Sequence, residues 1–471
     1  MPIRKASNKP ASNPARTDWA KHEFQHAPLP NQHLVKRLIL LTTDFALQPT
    51  ASIPQACGSW SQAKAAYRFF DNDAIDPDDI LSSHVQATIH RAAAHPVVLC
   101  AQDTTTLNYS THPQTRGLGP IGGNRDKTIG LLLHSTLALT PSGQPLGLLD
   151  AQTRARDPHL FHRTWAQRNR MALAEKESQK WMDSLTACQT LAAQCPDTTL
   201  VNMADREGDL YDLFAQGLTP LDVGRVHLLV RAQHNRKVAH PQKYLLDLLA
   251  SRPVATQLKV TVPRKNGQPG RVAALSIRHT PVTLRPPCLK EAQPPLTLWA
   301  VEARETRPPK GVAPVCWRLL TTVRVTCAEE ALEKVRWYVQ RWPIEVMHKV
   351  LKSGCKVEQR QLETADRLSR VVRVDLVVAW RVLALSRAGR ETPDDLASDW
   401  LSGDEWRAPW CYIHKKKTPP QRAPSVREAV RCISQLGGFF GRRHDGQPGP
   451  IVVWRGLHRL KDITSTWRLF Q

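Results

Sequence analysis

The sequence holds no uninterrupted apolar run of the roughly 20 residues that a membrane span requires. The closest approach, from Val371 to Ala388, is broken by Arg373, Asp375, Arg381 and Arg387. A soluble chain is expected. The 10 cysteines include no C-x-x-C pair, which argues against a zinc site and against a disulfide framework in a chain this large; reduced, intracellular thiols are the expectation. The N-terminal stretch MPIRKASNKPASNPARTDW has neither an apolar core nor a small-residue cleavage site, so it does not read as a secretory signal and is expected to be a disordered basic arm. There is no internal repeat and no long low-complexity segment. Acidic residues are also short: Asp and Glu total 42 against 65 for Lys and Arg, giving a formal net charge of +23 spread over most of the chain. A large polyanion is the natural partner. Charge alone does not separate DNA from RNA or from an anionic membrane surface.

What is present is length and texture. At 471 residues the chain is expected to hold two to four domains. Apolar residues recur at helical spacing in HLVKRLILLTTDFA and in SWSQAKAAYRFF, where Ser61 could cap a helix. Lys36, Arg37, Lys64 and Arg68 are expected on exposed faces of this N-terminal helical domain, residues 1–75. From Pro96 the texture becomes α/β: PVVLCAQD and TTLVNMAD are short apolar runs that each end in an Asp. Residues 227–322 are rich in Pro, Gly and alternating strands and read as a β-rich insertion within a domain spanning 76–370. A long amphipathic helix is expected from Arg367 to Ala388, and residues 371–471 read as a C-terminal helical domain with a further helix over Val426 to Gly437.

Asp103 and Asp205 stand at the ends of their strand-like runs, where α/β folds place chemistry; each could equally be a helix cap or turn residue. Tyr338, Arg341, Glu345 and Lys352 fall at offsets of three, seven and fourteen residues. At about 100° per residue these lie within an arc of roughly 60°, so on one helix they share a face. That face, flanked by His348, Lys349 and Lys356, makes a poor core. It could also be a solvated surface with an i, i+4 ion pair between Arg341 and Glu345. Pro343 removes a helical hydrogen bond there and predicts a kink or restart at Trp342.

These motifs together resemble the DDE transposases of insertion sequence family four. The resemblance rests on Y-x2-R-x3-E-x6-K at Tyr338, Arg341, Glu345 and Lys352, on QDTTTLNY around Asp103, and on ADREGDLYDLF after Asp205. TDWAKHEF, KAAYRFF, LLVRAQHNRK, WRLLTT and LGGFF extend it over most of the chain. It implies a ribonuclease-H-like mixed-sheet core with a β insertion, flanked by small helical domains. Asp103, Asp205 and Glu345 would hold two divalent ions about 4 Å apart for in-line displacement at phosphorus, magnesium by preference with manganese able to substitute. Tyr338, Arg341 and Lys352 would grip the phosphate backbone with Arg231, His348 and Lys349 beside them, and Trp317, 21 residues before Tyr338, would stack on a flipped base. The resemblance further implies binding of double-stranded DNA at terminal inverted repeats and target, cleavage through a hairpin, a homodimer joined through the C-terminal domain, and a place in the bacterial cytoplasm at the nucleoid. The sequence departs from the family at Pro343 and in the tail beyond LGGFF.

Three other readings compete: a DNA-binding inhibitor without activity, a ribonuclease-H-like nuclease that cuts without joining, and a recombinase using Tyr338 as nucleophile.

Overall fold

The apolar runs at Ile129–Leu139 (β3) and Thr199–Ala204 (β5) are buried along nearly all their length, and Val97–Asn108 (β1) is buried from Val98 to Gln102, as strand segments covered on both faces must be. In this computed structural model the described residues are 18–122, 126–161, 164, 167, 170–262, 270–288, 291–442 and 444–470; the basic arm expected at the N-terminus lies mostly outside them. Among the described residues ten strands form one sheet. Besides β1, β3 and β5 these are β2 (Gly119–Pro120), β4 (Pro145–Arg154), β6 (Arg225–Arg231), β7 (Thr256–Val262), β8 (Arg271–Leu284), β9 (Leu296–Glu305) and β10 (Cys316–Thr321).

β4, β3 and β1 form an antiparallel meander, and β5 and β6 follow in parallel with β1. Three antiparallel strands continued by two parallel ones, in the order β4-β3-β1-β5-β6, are the ribonuclease-H-like arrangement. The helix Gln179–Ala192 connects β4 to β5 and sets Trp181, Met182 and Leu185 into a core with Leu213, Phe214, Leu228 and Val230.

The expected β insertion starts later than residue 227, because His227 lies within β6, a core strand. It does not form a body of its own. β10 pairs antiparallel with β6, and β9, β8 and β7 extend the same sheet outward. An unpaired β6 edge would leave its backbone groups open to association, and the insertion covers it.

The chain divides into two compact units. The sheet unit comprises Thr88–Pro113 and Leu118–His348; the helical unit comprises Met1–Ala87, Gln114–Gly117 and Lys349–Gln471. The N-terminal and C-terminal helices, expected as separate domains, thus share one unit. The long helix there, Ala365–Glu391, is buried on nearly all sides rather than amphipathic. Its charges are matched internally: Arg370 donates to the carbonyls of Phe70 and Ile75, and Asp375 takes a bidentate contact at 2.8 and 2.9 Å from Arg360. Two helices not expected from sequence, Gly403–His414 and Pro450–Arg468, pack with Val426–Leu436 in this unit. In LGGFF, Gly437 is required by close approach, since a Cβ there would stand 1.9 Å from the Val452 carbonyl oxygen, and Gly438 takes φ +92° as the chain leaves the helix. In the N-terminal helix Trp60–Phe70 the cap is Ser59, which accepts from the Gln62 amide, and not Ser61. Lys36, Lys64 and Arg68 are exposed and Arg37 is half-buried. Among the described residues no helix is long and apolar enough to cross a membrane.

Candidate active site

The register of the central strands brings the two aspartates together. Parallel pairing of β1 with β5 ends at Ala101 and Met203, and two residues further along the chain stand Asp103, within β1, and Asp205, directly after β5. Asp205 directly follows its strand, as the sequence placed it after the run TTLVNMA; its side chain accepts from the Glu207 amide at 2.8 Å and caps the short turn Arg206–Gly208. The cap role and a site role therefore coincide. Asp103 differs from expectation, because β1 runs on to Asn108 and leaves Asp103 in mid-strand. The β-branched Thr104, Thr105 and Thr106 keep pairing with β3 after β5 has ended, and from Asp103 onward the strand is only partly buried.

The helical segment breaks where Pro343 predicts. One helix covers Ala328–Val339, a second begins at Pro343 and runs to Lys349, and a π-helical turn occupies Val350–Gly354. Pro at the first helical position sacrifices no hydrogen bond. Tyr338 and Arg341 therefore do not share a helix with Glu345, and the uniform angular projection does not extend through the π turn to Lys352. The structure keeps Arg341 at Glu345 by another route. From the connecting turn, its guanidinium pairs with the Glu345 carboxylate and also lies 3.4 Å from Asp103 Oδ1.

The electrostatics tie the three carboxylates into one locus. Burial pushes the Glu345 carboxyl up; Arg341 opposes this, and the charges of Asp103 and Asp205 add to it. Burial also pushes Asp103 up, but His348 and Arg341 on its oxygens and the Thr104 amide outweigh it, so the net shift is downward. Burial alone would weaken the Arg341 cation, yet Tyr338, Asp103, Glu345 and Asp205 together raise its pKa. Among the described residues no group of three or more His, Cys, Asp or Glu side chains stands as a ready-made metal cluster. The donors are nevertheless right in kind. Hard carboxylate oxygens that repel one another call for a cation, and in this arrangement the guanidinium of Arg341 answers that call at two of the three.

The remaining expected residues divide. Tyr338 is buried, with its ring centroid 6.3 Å from that of Trp317; burial raises its pKa while Arg341 and Arg231 lower it. Arg231, at the end of β6, donates to the Cys316 carbonyl at 3.0 Å and faces Tyr338. Trp317 is half-buried on β10 opposite Ala303. Lys349 is exposed, and Lys352 lies 3.8 Å from Glu358; both belong to the helical unit. His348, expected at the DNA, is instead 4% exposed. It is turned inward, with Nε2 2.9 Å from Ser135 Oγ and Nδ1 3.4 Å from Asp103 Oδ2. Its place three residues after Glu345 signals only a shared helix face, which does not say whether that face meets solvent or sheet.

Two participants escaped the sequence reading. Ser135 sits within the apolar run IGLLLHSTLAL and reads as core. Asp209, the second aspartate of ADREGD, is buried and accepts from the amides of Gln233 and His234 at 2.7 and 3.0 Å and from Arg236 Nε at 2.8 Å. It staples the loop that follows Arg231 to the loop that follows Asp205, which accounts for both ADREGD and LVRAQHNRK. Only the acid spacing hinted at it.

Two segments match known families. Residues 16–75 match the transposase DNA-binding family, and residues 377–468 match the dimerisation domain of the Tn5 transposase. Both fall in the helical unit and flank the sheet unit in sequence. A solved structure similar to this chain is the piggyBac transposase in a synaptic complex with hairpin DNA, at 10% identity and a TM-score of 0.36, covering 80% of this chain and 73% of that one. That likeness is too distant to bear on function. The two matched segments, one to a transposase DNA-binding model before the sheet unit in sequence and one to a transposase dimerisation model after it, support a DNA transposase.

Proposed function

We propose that the chain is a cut-and-paste DNA transposase whose phosphoryl-transfer site is Asp103, Asp205 and Glu345. The observation that carries the reading is the placement of the three acids. Two stand in register where the β1–β5 pairing ends, and the third feels the charge of both from the facing helix. Beyond the turn that Asp205 caps and the ion pairs of Asp103 and Glu345 with Arg341, three carboxylates gathered at that point of the sheet suit divalent cations, magnesium or manganese.

Bound there, two such ions would activate the attacking oxygen and stabilise the leaving oxygen of in-line displacement. The residues of the chain supply the rest. Arg341 and Arg231 have planar forks suited to phosphate, and Tyr338 holds both guanidinium groups in place. Trp317, packed on Tyr338, supplies an aromatic face for an unstacked base. Lys349, the last residue of the helix Pro343–Lys349, and Lys352, in the π-helical turn that follows, are further cations suited to the DNA backbone. Exposed Lys36, Lys64 and Arg68 suit binding of terminal inverted repeats by the N-terminal helices. The matched dimerisation segment fits a homodimer that pairs two ends before hairpin formation and joining to target DNA, with the bacterial nucleoid as its place of work.

The test uses the purified full chain and a duplex carrying the inverted repeats that flank its coding sequence. Magnesium or manganese should support nicking, hairpin formation and joining. Asp103→Asn, Asp205→Asn and Glu345→Gln should each abolish all three steps while leaving binding of the duplex intact. Specific binding without cleavage by the unaltered chain would establish an inhibitor; cleavage without joining, independent of paired ends, would establish a nuclease. Cleavage that survives Glu345→Gln would remove the metal site from the mechanism.

A further inference from the structure

Asp103 is held from two sides by chemically different groups. The β1–β3 register pairs Asp103 directly with Ser135, and directly opposed residues of antiparallel strands project from the same face. His348 lies three residues beyond Glu345, so the helix that carries Glu345 sets both over that face. The imidazole fits between the two strand residues, 2.9 Å from Ser135 Oγ through Nε2 and 3.4 Å from Asp103 Oδ2 through Nδ1. Ser135 is fully buried and His348 nearly so.

An ionised carboxylate only accepts, so the Nδ1 side of the ring is the donor toward Asp103. The other contact, 2.9 Å between Nε2 and the Ser135 hydroxyl, holds the ring from behind whichever of the two donates, and so keeps the Nδ1 side directed at one oxygen of Asp103.

We propose that Ser135 and His348 are a positioning pair that orients the Asp103 carboxylate for a divalent cation. This rests on the metal-site reading above. Groups hydrogen-bonded behind a metal ligand typically govern 10–100-fold of metal affinity. A core histidine filling space would show no such selectivity among replacements of similar bulk.

The test is a manganese titration of the DNA-free protein followed by electron paramagnetic resonance, together with kcat and KM for strand cleavage. His348→Phe keeps the bulk but has no donor, and should weaken manganese binding roughly 10–100-fold. His348→Gln can reach Ser135 but not Asp103, and should behave like His348→Phe. His348→Asn places an amide N–H near the Nδ1 position and should recover most of the affinity. Ser135→Ala should weaken binding about threefold to tenfold, with Ser135→Thr restoring it, while kcat falls and KM for DNA stays unchanged. Equal weakening in Phe, Gln and Asn variants of unchanged thermal stability, or wild-type affinity in all three, would overturn the pair. Asp103→Asn separates the two layers: unaltered manganese affinity in that variant sinks the metal site itself, whereas its loss alongside an unaffected His348→Phe sinks only the positioning pair.

Discussion

Replacing Arg341 by Met should tighten divalent-metal binding while impairing cleavage, two effects of opposite sign from one side chain. The guanidinium lies 3.4 Å from Asp103 Oδ1 and pairs with Glu345, with the three side chains 11%, 18% and 30% exposed respectively. At that separation and an effective dielectric of about 20, the gross attraction to Asp103 is about 5 kcal/mol. Desolvation of the partners and solvent reaching Glu345 remove most of it. A net of about 1–2 kcal/mol would remain, and a cation that enters the site must overcome it. Arg341→Met keeps the length and deletes the charge, so manganese affinity of the DNA-free protein should rise by roughly 5- to 30-fold. Cleavage should fall all the same, because the phosphate loses a bidentate partner. Arg341→Lys retains the charge but not the planar fork; its manganese affinity should stay near that of the wild type while its cleavage drops. The assay is the same manganese titration, run on all three proteins before DNA is added. Manganese affinity that is unchanged or weaker in Arg341→Met would refute the idea that the guanidinium and the ion compete for the same carboxylates.

The fold gives two further tests. His134 is buried between Thr104 and Gln102, and its desolvated ring is held down to about 3 from an ordinary value of 6.5. The unfolded chain therefore takes up a proton near pH 6.5 that the folded chain refuses, so stability rises with pH across this window and falls on acidification. Between pH 6.5 and 5.5 this group should remove about 1 kcal/mol; urea midpoints at both values for the wild type and His134→Gln would show it, and identical pH slopes would refute it. In the helical unit, a Cβ on Gly456 would stand 1.8 Å from the Ile433 carbonyl oxygen. Gly456→Ala should force the helices Val426–Leu436 and Pro450–Arg468 apart at a cost of about 1–3 kcal/mol, seen as a lowered melting temperature and faster proteolysis of the C-terminal helices; an unshifted melt would count against that close packing.

The site was legible in sequence to the extent that it is local. Apolar runs ending near an acid marked β1 and β5, and Pro343 marked the start of the helix that bears Glu345, because a proline ring constrains its own turn whatever surrounds it. What depended on distant partners was not legible. The length of β1 beyond Asp103 is decided by pairing with β3, about thirty residues away. The burial of Arg370 and Asp375 is possible only because Phe70, Ile75 and Arg360 receive them; by sequence alone, charges in a helix signal a wet face. Ser135 was invisible for the converse reason, since a lone hydroxyl in an apolar strand reads as filler until the opposite register is known. The inward turn of His348 has the same cause.

The two groups on Asp103 show how a strongly basic chain can keep an acidic site usable. With a net charge of +23, a second fixed cation at position 348 would have been easy to supply. It would also have neutralised Asp103 permanently and weakened the attraction for a divalent ion. An imidazole carries no permanent charge, and from its Nδ1 side it would orient the carboxylate while the Ser135 hydroxyl holds the ring from behind. Under the proposed metal site Arg341 carries the charge that a divalent ion would displace, and it sits in the turn between two helices rather than on a strand. Its long, flexible side chain would let it exchange a carboxylate for a phosphate without disturbing the sheet. Fixed orientation through groups without permanent charge from the strand and helix, and exchangeable charge from the turn, are separate requirements, and the break at Pro343 is what allows one short segment to meet both.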